Sequence, residues 1–175
     1  MSIKEKIFKS NNLDYTAHYG WQKSFGDESF TFGYINSYKE AGDILTEERN
    51  PDLLMFPIMF SYRQYLELLL KNICQKGMAN IEYNEMIKKS SHNLESIWKS
   101  CKKILLANIT EEEMDYIEEV VRIFFVIDPG SFTFRFEKDK KQESRTIKED
   151  YLTINTKNVK KFVDKVDDIL RHTYD

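Results

Sequence analysis

The segment from Pro51 to about Gln75 constrains the fold most, because its apolar residues leave almost no polar face. A helix that is apolar on nearly every side has to be enclosed by other elements. Asn50 offers an N-cap oxygen, Pro51 suits the first helical position, and Gly77 suits the left-handed C′ position. The sequence therefore predicts one central helix inside a helical bundle, kinked at Pro57. Its large apolar residues are Leu53, Leu54, Phe56, Ile58, Met59, Phe60, Tyr62, Tyr65, Leu66, Leu68, Leu69, Leu70 and Ile73.

Four further segments carry apolar residues at the spacing of three and four that indicates amphipathic helices. They are, in chain order, residues 29–48, residues 92–107, the segment behind the capping box of Thr110 and Glu113, and residues 159–170 with Asn155 or Thr156 as the cap. The intervening residues 78–91 are predicted to form a loop.

Residues 131–136 alternate strictly between polar and apolar side chains, which predicts a short strand. Residues 151–154 are its predicted antiparallel partner. The predicted fold is therefore mainly α: a five-helix bundle with a small β-hairpin, at about 131–154, before the last helix. Residues 1–26 show no sustained periodicity and are predicted to be an N-terminal arm, and residues 27–175 a single domain.

A line of charge crosses the apolar central segment. Arg63, Glu67 and Lys71 stand four residues apart, so they lie on one side of a helix. Charges on so apolar a helix have to be paired or have to serve a site. The next predicted helix starts at His92 with the sequence His-Asn-Leu. A Glu67-x-x-x-Lys71 pattern followed by such a helix start resembles the signature of HEPN domains, a superfamily of helical bundles.

Two more residues of that signature are Asn93 and Leu94. In addition, the sequence Phe134-Arg135-Phe136 is similar to an aromatic-Arg-Tyr-Pro element that often follows the fourth helix in the superfamily. The resemblance implies a helical bundle that acts in a toxin–antitoxin, phage-defence or stress system. It also implies homodimers, and it implies RNA, a nucleotide, an antitoxin or a nucleotidyltransferase-type protein as a partner.

Many HEPN proteins are ribonucleases that carry an Arg followed after four to six residues by a His. This motif is absent here, because none of His18, His92 and His172 follows an Arg at that spacing. A metal-independent ribonuclease needs a base for the 2′-hydroxyl and a cation for the phosphate. Arg63, His92 and Arg135 are the candidates for these roles, provided that the fold brings them together.

The same residues have a structural interpretation, which the sequence favours. Glu67 pairs with Lys71 or Arg63 along the helix, and His92 caps the next helix. The alternative is that this polar network borders a ligand that carries phosphate. The residues predicted to line such a ligand site are Arg63, Glu67, Lys71, His92, Asn93 and Arg135.

Composition and charge exclude several classes of protein. The formal net charge of −3 gives no global attraction to nucleic acid, so such a contact needs a local basic surface. Cys74 and Cys101 are isolated, which predicts neither a metal site nor a disulfide, and no cofactor is predicted. The longest apolar run is shorter than a bilayer requires, and the first residues do not form a secretory signal. A cytoplasmic protein without a membrane span is therefore predicted.

Three functional classes remain open. The first is a non-catalytic HEPN-like protein that binds RNA, a nucleotide or a protein partner. The second is a metal-independent endoribonuclease with a rearranged site. The third is a purely structural, dimeric interaction protein. The missing Arg-to-His spacing favours the first and third over the second.

Overall fold

The computed structural model describes residues 25–138 and 153–174, with Ile7 and Ala17 before them. These ranges hold six helices: α1 (Asp27–Glu47), α2 (Pro51–Gly77), α3 (Asn80–Ser90), α4 (Leu94–Leu105), α5 (Glu111–Ile127) and α6 (Thr156–Tyr174). They contain no helix that is long and apolar enough to cross a membrane. The chain divides into two compact units, residues 1–34 and 35–175, and α1 contributes to both. The predicted domain boundary after residue 26 stays a prediction.

In the first unit, α1 begins at a glycine turn. Gly26 has a φ of 106°, in the region that side chains other than glycine rarely adopt. Its carbonyl accepts a hydrogen bond from Phe30 N at 3.2 Å, and the Ser29 hydroxyl donates to the carbonyl of Phe25. The ring of Phe30 stacks on Tyr34, with 6.5 Å between the centroids. These local bonds define the helix start.

The second unit is built around α2, as the sequence predicts. The Asn50 side chain accepts a hydrogen bond from Leu53 N, and Pro51 occupies the first turn. The helix continues past Pro57 without interruption to Gly77. It packs against α3, α4 and α6. Its buried residues are Ile58, Met59, Ser61, Tyr62, Arg63, Tyr65, Leu66, Glu67, Leu69, Leu70, Ile73 and Cys74.

Gly77 has a different role from the predicted one. It is the last residue of α2, and Met78 beyond it is extended rather than left-handed. A Cβ atom at Gly77 would lie 2.5 Å from the side chain of Ile104 in α4. The glycine is therefore required by the close approach of two helices.

The predicted loop over residues 78–91 is wrong for most of its length, because residues 80–90 form α3. This helix is largely polar, and only Met86 and Ser90 are buried. Its first residue follows Ala79, which provides no side-chain cap. Its apolar stripe is limited to Tyr83, Met86 and Ile87, and without a cap this is a weak signal for a helix in sequence. The described ranges hence hold six helices where five were predicted.

The other helix starts follow the predicted caps, with one correction. Thr110 and Glu113 form the capping box of α5, and Asn155 Oδ1 accepts from Asn158 N at 3.0 Å at the start of α6. The cap of α4 is Asn93, whose Oδ1 accepts from Ser96 N at 2.8 Å, and not His92.

The predicted β-hairpin is not confirmed. Residues 131–136 form turns, in which the carbonyl of Phe132 accepts hydrogen bonds from Arg135 N and Phe136 N at 3.1 and 3.2 Å. The rings of Phe132 and Phe136 consequently stack at 4.4 Å on one side of the turn. The alternation of polar and apolar residues thus reflects a compact turn. In the predicted partner strand, 151–154, the first two residues lie outside the described residues, and the last two are described and are not in a strand.

A charged cluster ties α1 to α6 beside the core. Lys39 Nζ lies 2.9 Å from Asp43 and 2.6 Å from Asp164, and Lys160 Nζ lies 2.7 Å from Asp164. The Tyr62 hydroxyl donates to Asp43 at 2.9 Å. Burial raises the pKa of Asp164, but hydrogen bonds from Lys160 and Lys39 outweigh it and hold the pKa below its ordinary value.

Gly42 tests the packing of α1 on α2. A Cβ atom at this position would lie 2.7 Å from the fully buried ring of Tyr62. We expect Gly42→Ala to lower the free energy of unfolding by about 1–2 kcal/mol, because the clash outweighs the gain in helix propensity. Chemical denaturation measures this, with Gly130→Ala as control, since nothing lies within 4 Å of a Cβ there. Equal stability of the two variants would contradict the packing.

Candidate functional site: a buried charged network around Arg63

The side chain of Arg63 lies entirely inside the second unit. Its Nη1 donates to Glu67 Oε2 at 2.7 Å, its Nη2 donates to the carbonyl of His92 at 2.7 Å, and its Nε donates to the carbonyl of Asp128 at 3.1 Å. One guanidinium therefore joins α2 to the turn before α4 and to the end of α5. A planar fork of fixed donors suits this task, whereas a lysine would not.

Glu67 gathers three basic groups on one buried carboxylate. Oε2 accepts from Arg63, and Oε1 lies 2.7 Å from Lys71 Nζ and 2.8 Å from His92 Nδ1. Burial by itself raises the pKa of this carboxyl, but hydrogen bonds from Lys71 and Arg63 outweigh it and hold the pKa below its ordinary value. Glu67 is accordingly ionised at neutral pH, with its negative charge at the centre of the network.

Asp128 extends the network to the turn that follows α5. Its Oδ1 accepts hydrogen bonds from Phe132 N at 2.6 Å and from Thr133 N at 3.0 Å. Its Oδ2 lies 3.2 Å from Arg63 Nε but is not aligned for a hydrogen bond, so this contact is purely electrostatic. Asp128 is not among the site residues predicted from the sequence.

His92 is the part of the network that reaches solvent. Its carbonyl binds Arg63 and its Nδ1 faces Glu67, yet 55% of the side chain is exposed. The residue before it, Ser91, has φ 49° and ψ −108°, a conformation that favours glycine. Such backbone strain costs on the order of 1–3 kcal/mol and persists only where the surroundings impose it. The backbone that carries the imidazole is therefore strongly determined, and the contact with Glu67 orients the ring.

Arg135 stands apart from this group. Its Nε donates to the carbonyl of Ser131, and its guanidinium lies 5.6 Å from the centre of the Phe136 ring. It is exposed, on the turn that Asp128 caps. The network and Arg135 are thus linked only through the backbone of that turn.

The structure brings four of the six predicted site residues together: Arg63, Glu67, Lys71 and His92. Both predicted pairings of Glu67, with Arg63 and with Lys71, are present at once. Asn93 acts as the cap of α4. The missed member, Asp128, carries no local signal, because its contact with Arg63 spans more than sixty residues of sequence.

The network has limited chemical options. Arg63 offers no surface to a ligand, because it is enclosed by its partners; Lys71 is slightly exposed and His92 half exposed. No group of His, Cys, Asp and Glu in residues 25–138 or 153–174 is placed to hold a metal ion. Cys74 and Cys101 are buried free thiols. Only the His92 end of the network can contact a molecule in solution.

Glu67→Gln tests the balance of charge in the network. We expect the variant to lose about 3–5 kcal/mol of unfolding free energy near neutral pH, because Arg63 stays buried with one anionic partner fewer. Since the folded-state pKa of Glu67 is lowered, its contribution is present above the unfolded pKa of about 4.3 and is lost as the pH falls through the folded value.

Denaturation at several pH values measures this. The difference in unfolding free energy between the parent and Glu67→Gln should become smaller below about pH 4. Glu95→Gln is the matched control, because Glu95 forms an i,i+4 pair with Lys99 on the surface, and it should change stability by about 0.5 kcal/mol or less. A Glu67→Gln protein as stable as this control would contradict the structural role of the network.

Comparison with known proteins gave no relative from which a function can be carried over. No family model, no curated protein and no solved structure matches the chain. The HEPN resemblance of the sequence motif consequently stays a prediction. The function has to be argued from the geometry of the described residues.

Proposed function

We propose that the chain is a non-catalytic HEPN-like protein that binds a single-stranded RNA backbone at the corner between α3 and α4. This corner, the His92 corner, consists of Lys88, Lys89, Ser91 and His92, with Lys71 behind it. The observation that carries the proposal is the half-exposed imidazole of His92, whose Nδ1 faces the buried Glu67 carboxylate while the backbone carbonyl of His92 accepts from the buried Arg63. A side chain so firmly positioned at the surface is suited to recognition.

The His92 corner is locally basic. Lys88 and Lys89 are exposed in the last turn of α3, directly before the turn that presents His92. Nδ1 donates to the ionised Glu67, so Nε2 is the ring nitrogen left for a ligand. The corner thus combines two flexible ammonium groups with one oriented imidazole, a set that suits the phosphate oxygens and 2′-hydroxyls of RNA.

An open, exposed corner favours a strand over a single phosphate. Lys88, Lys89, Ser91 and His92 are all exposed, so a small anion would be held from one side only. A strand presents several phosphates in succession and gains from the counterions that it releases. The HEPN resemblance supports RNA as the strand. The HEPN resemblance is also the sole support for the further proposal that the protein works in a toxin–antitoxin, phage-defence or stress system.

Binding to the corner can be measured by fluorescence anisotropy with a labelled oligouridine over a series of salt concentrations. We expect Lys88→Gln/Lys89→Gln to weaken binding by about tenfold and to reduce the salt slope by about 1.4, since each phosphate contact on a single strand contributes about 0.7. The matched control is Lys103→Gln/Lys161→Gln, which removes two exposed lysines from α4 and α6. An equal loss of oligouridine affinity in the two double variants would contradict the proposal.

Two further arms identify the ligand. Oligodeoxythymidine of the same length tests the role of the 2′-hydroxyl, and uridine monophosphate as competitor tests whether one phosphate is enough. His92→Asn should weaken RNA binding and should keep the melting temperature, since the Asn amide takes the place of Nδ1 beside Glu67 and the Arg63 contact uses the backbone carbonyl. Effective competition by the monophosphate would replace the strand with a free nucleotide as the ligand.

We expect the protein to bind RNA without cleaving it. A ribonuclease of this chemistry needs a cation beside the base, and Arg63 is fully engaged by Glu67, His92 and Asp128. Purified protein incubated with single-stranded and structured RNA in EDTA should leave both intact. If the parent cut RNA and His92→Ala did not, His92 would be the base of a rearranged active site.

A further inference from the structure

We propose that Cys74 and Cys101 form a redox pair, in which a peroxide oxidises the two thiols to an intrachain disulfide between α2 and α4. The sequence predicts no disulfide, because the two cysteines stand isolated along the chain. In the fold both are free thiols, and both are fully buried. The inference does not rest on the proposed RNA binding, since neither thiol belongs to the His92 corner.

Helices α2 and α4 run parallel, as two contacts between them show. Beside the start of α4, the His92 ring lies 2.8 Å from Glu67, which stands beyond the middle of α2. Further along both helices, Gly77 lies against Ile104, and an added Cβ atom would be only 2.5 Å from the isoleucine side chain. The two helices therefore advance in the same direction along one seam, and the missing side chain of Gly77 lets them approach closely.

The two cysteines occupy matching positions on this seam. Cys74 stands three residues before Gly77, and Cys101 stands three residues before Ile104, so each lies about one turn before the closest approach. Their thiols form a hydrogen bond with each other. A disulfide needs Cα atoms about 4.4–6.8 Å apart. A crossing of helices that is tightened by a glycine favours so short a separation.

The hydrogen bond gives the two thiols different roles. It lowers the pKa of Cys74, which accepts the bond, although burial opposes this shift. The same bond, together with burial, raises the pKa of Cys101, which donates it. Cys74 is therefore the thiol that ionises first and attacks the oxidant, and Cys101 is the thiol that closes the disulfide.

The reaction with hydrogen peroxide consists of two displacements. The Cys74 thiolate attacks one peroxide oxygen, the O–O bond breaks, and the departing hydroxide takes up the proton that Cys74 released to become water. The Cys101 sulfur then attacks the sulfur of the resulting sulfenic acid, the S–O bond breaks, and the departing hydroxide takes the proton of the Cys101 thiol to become a second water. The two sulfur atoms together lose two electrons, and the peroxide gains them.

Helix α3 covers the pair and controls access to it. This helix packs on both α2 and α4. Burial raises the pKa of Tyr83 in α3, and the negative charge of an ionised Cys74 raises it further, which places this ring near the thiol. Only Met86 and Ser90 of α3 are buried, so this helix opens at lower cost than the helices of the core do. A small oxidant hence reaches the thiols when α3 opens.

Oxidation of the full chain tests the pair directly. The folded parent is treated with hydrogen peroxide, free thiols are blocked with N-ethylmaleimide, and its peptides are mapped without reduction. Because the chain has only two cysteines, we expect one pair of peptides joined through Cys74 and Cys101, and no maleimide adduct. The oxidised protein should melt about 5 °C or more above the reduced protein, since the bond closes a loop of the unfolded chain. Two thiols that stay free, or a disulfide that forms only between chains, would overturn the inference.

A shifted cysteine provides the matched control. The variant Ser100→Cys/Cys101→Ser keeps two thiols but moves one of them by one position, which turns it about 100° around α4 and away from the seam. It should keep both thiols free under the conditions that oxidise the parent. An equal yield of disulfide in the parent and in this variant would contradict the proposed pairing.

Single substitutions test the roles of the two thiols. In Cys101→Ser, peroxide should convert Cys74 to a sulfenic acid, which dimedone traps as a stable adduct. In Cys74→Ser, the remaining thiol should give at least about tenfold less adduct, because it lacks the hydrogen bond that lowers the pKa of Cys74. The reverse ratio of adducts would exchange the roles and overturn the proposed order of attack.

The rate of disulfide formation tests the route through α3. Tyr83→Ala should speed the reaction at least about threefold, because it removes a contact that holds α3 on the core. Ile81→Ala is the control on the same helix, since Ile81 is 77% exposed. Equal rates in these two variants would show that the opening of α3 does not control access to the thiols.

Discussion

The guanidinium of Arg63 is the contact on which the arrangement of the second unit depends. It binds the Glu67 carboxylate, the carbonyl of His92 and the carbonyl of Asp128, and so connects α2, the turn before α4 and the end of α5. Removing it would leave a buried carboxylate and two buried carbonyls without their donor, and each such loss is costly. The apolar core around α2 supplies the driving force for folding, whereas Arg63 determines how three segments meet.

Buried ion pairs contribute little net stability, because desolvation offsets much of their attraction. The network is therefore better understood through what it positions. Glu67 shares its charge among Arg63, Lys71 and His92, and the last of these leaves the interior with its ring half exposed. The strained backbone of Ser91 directly precedes it. A cluster that is expensive to bury thus fixes one imidazole at the surface, which is why we connect the network with binding and not with stability alone.

The helical class, the central helix and the partners within one helix were predictable from the sequence, because they depend on spacing along the chain. Arg63, Glu67 and Lys71 pair at four-residue intervals, and the Thr110 capping box lies within a single turn. Asp128 was missed because nothing local distinguishes a buried aspartate from one in an ordinary turn. Helix α3 was missed since its apolar stripe is limited to Tyr83, Met86 and Ile87 and its first residue has no side-chain cap.

The same limit applies to function, since residue type does not reveal whether a charge is free. Arg63 and Lys88 are both basic, but the first is enclosed by its partners and the second is exposed. Only the second has a surface that it can offer to a ligand. The sequence placed Arg63 first among the candidates because of its line with Glu67, and the fold uses that line to hold His92. The residues that organise a site and the residues that contact its ligand are thus different ones here, and separating them requires the three-dimensional structure.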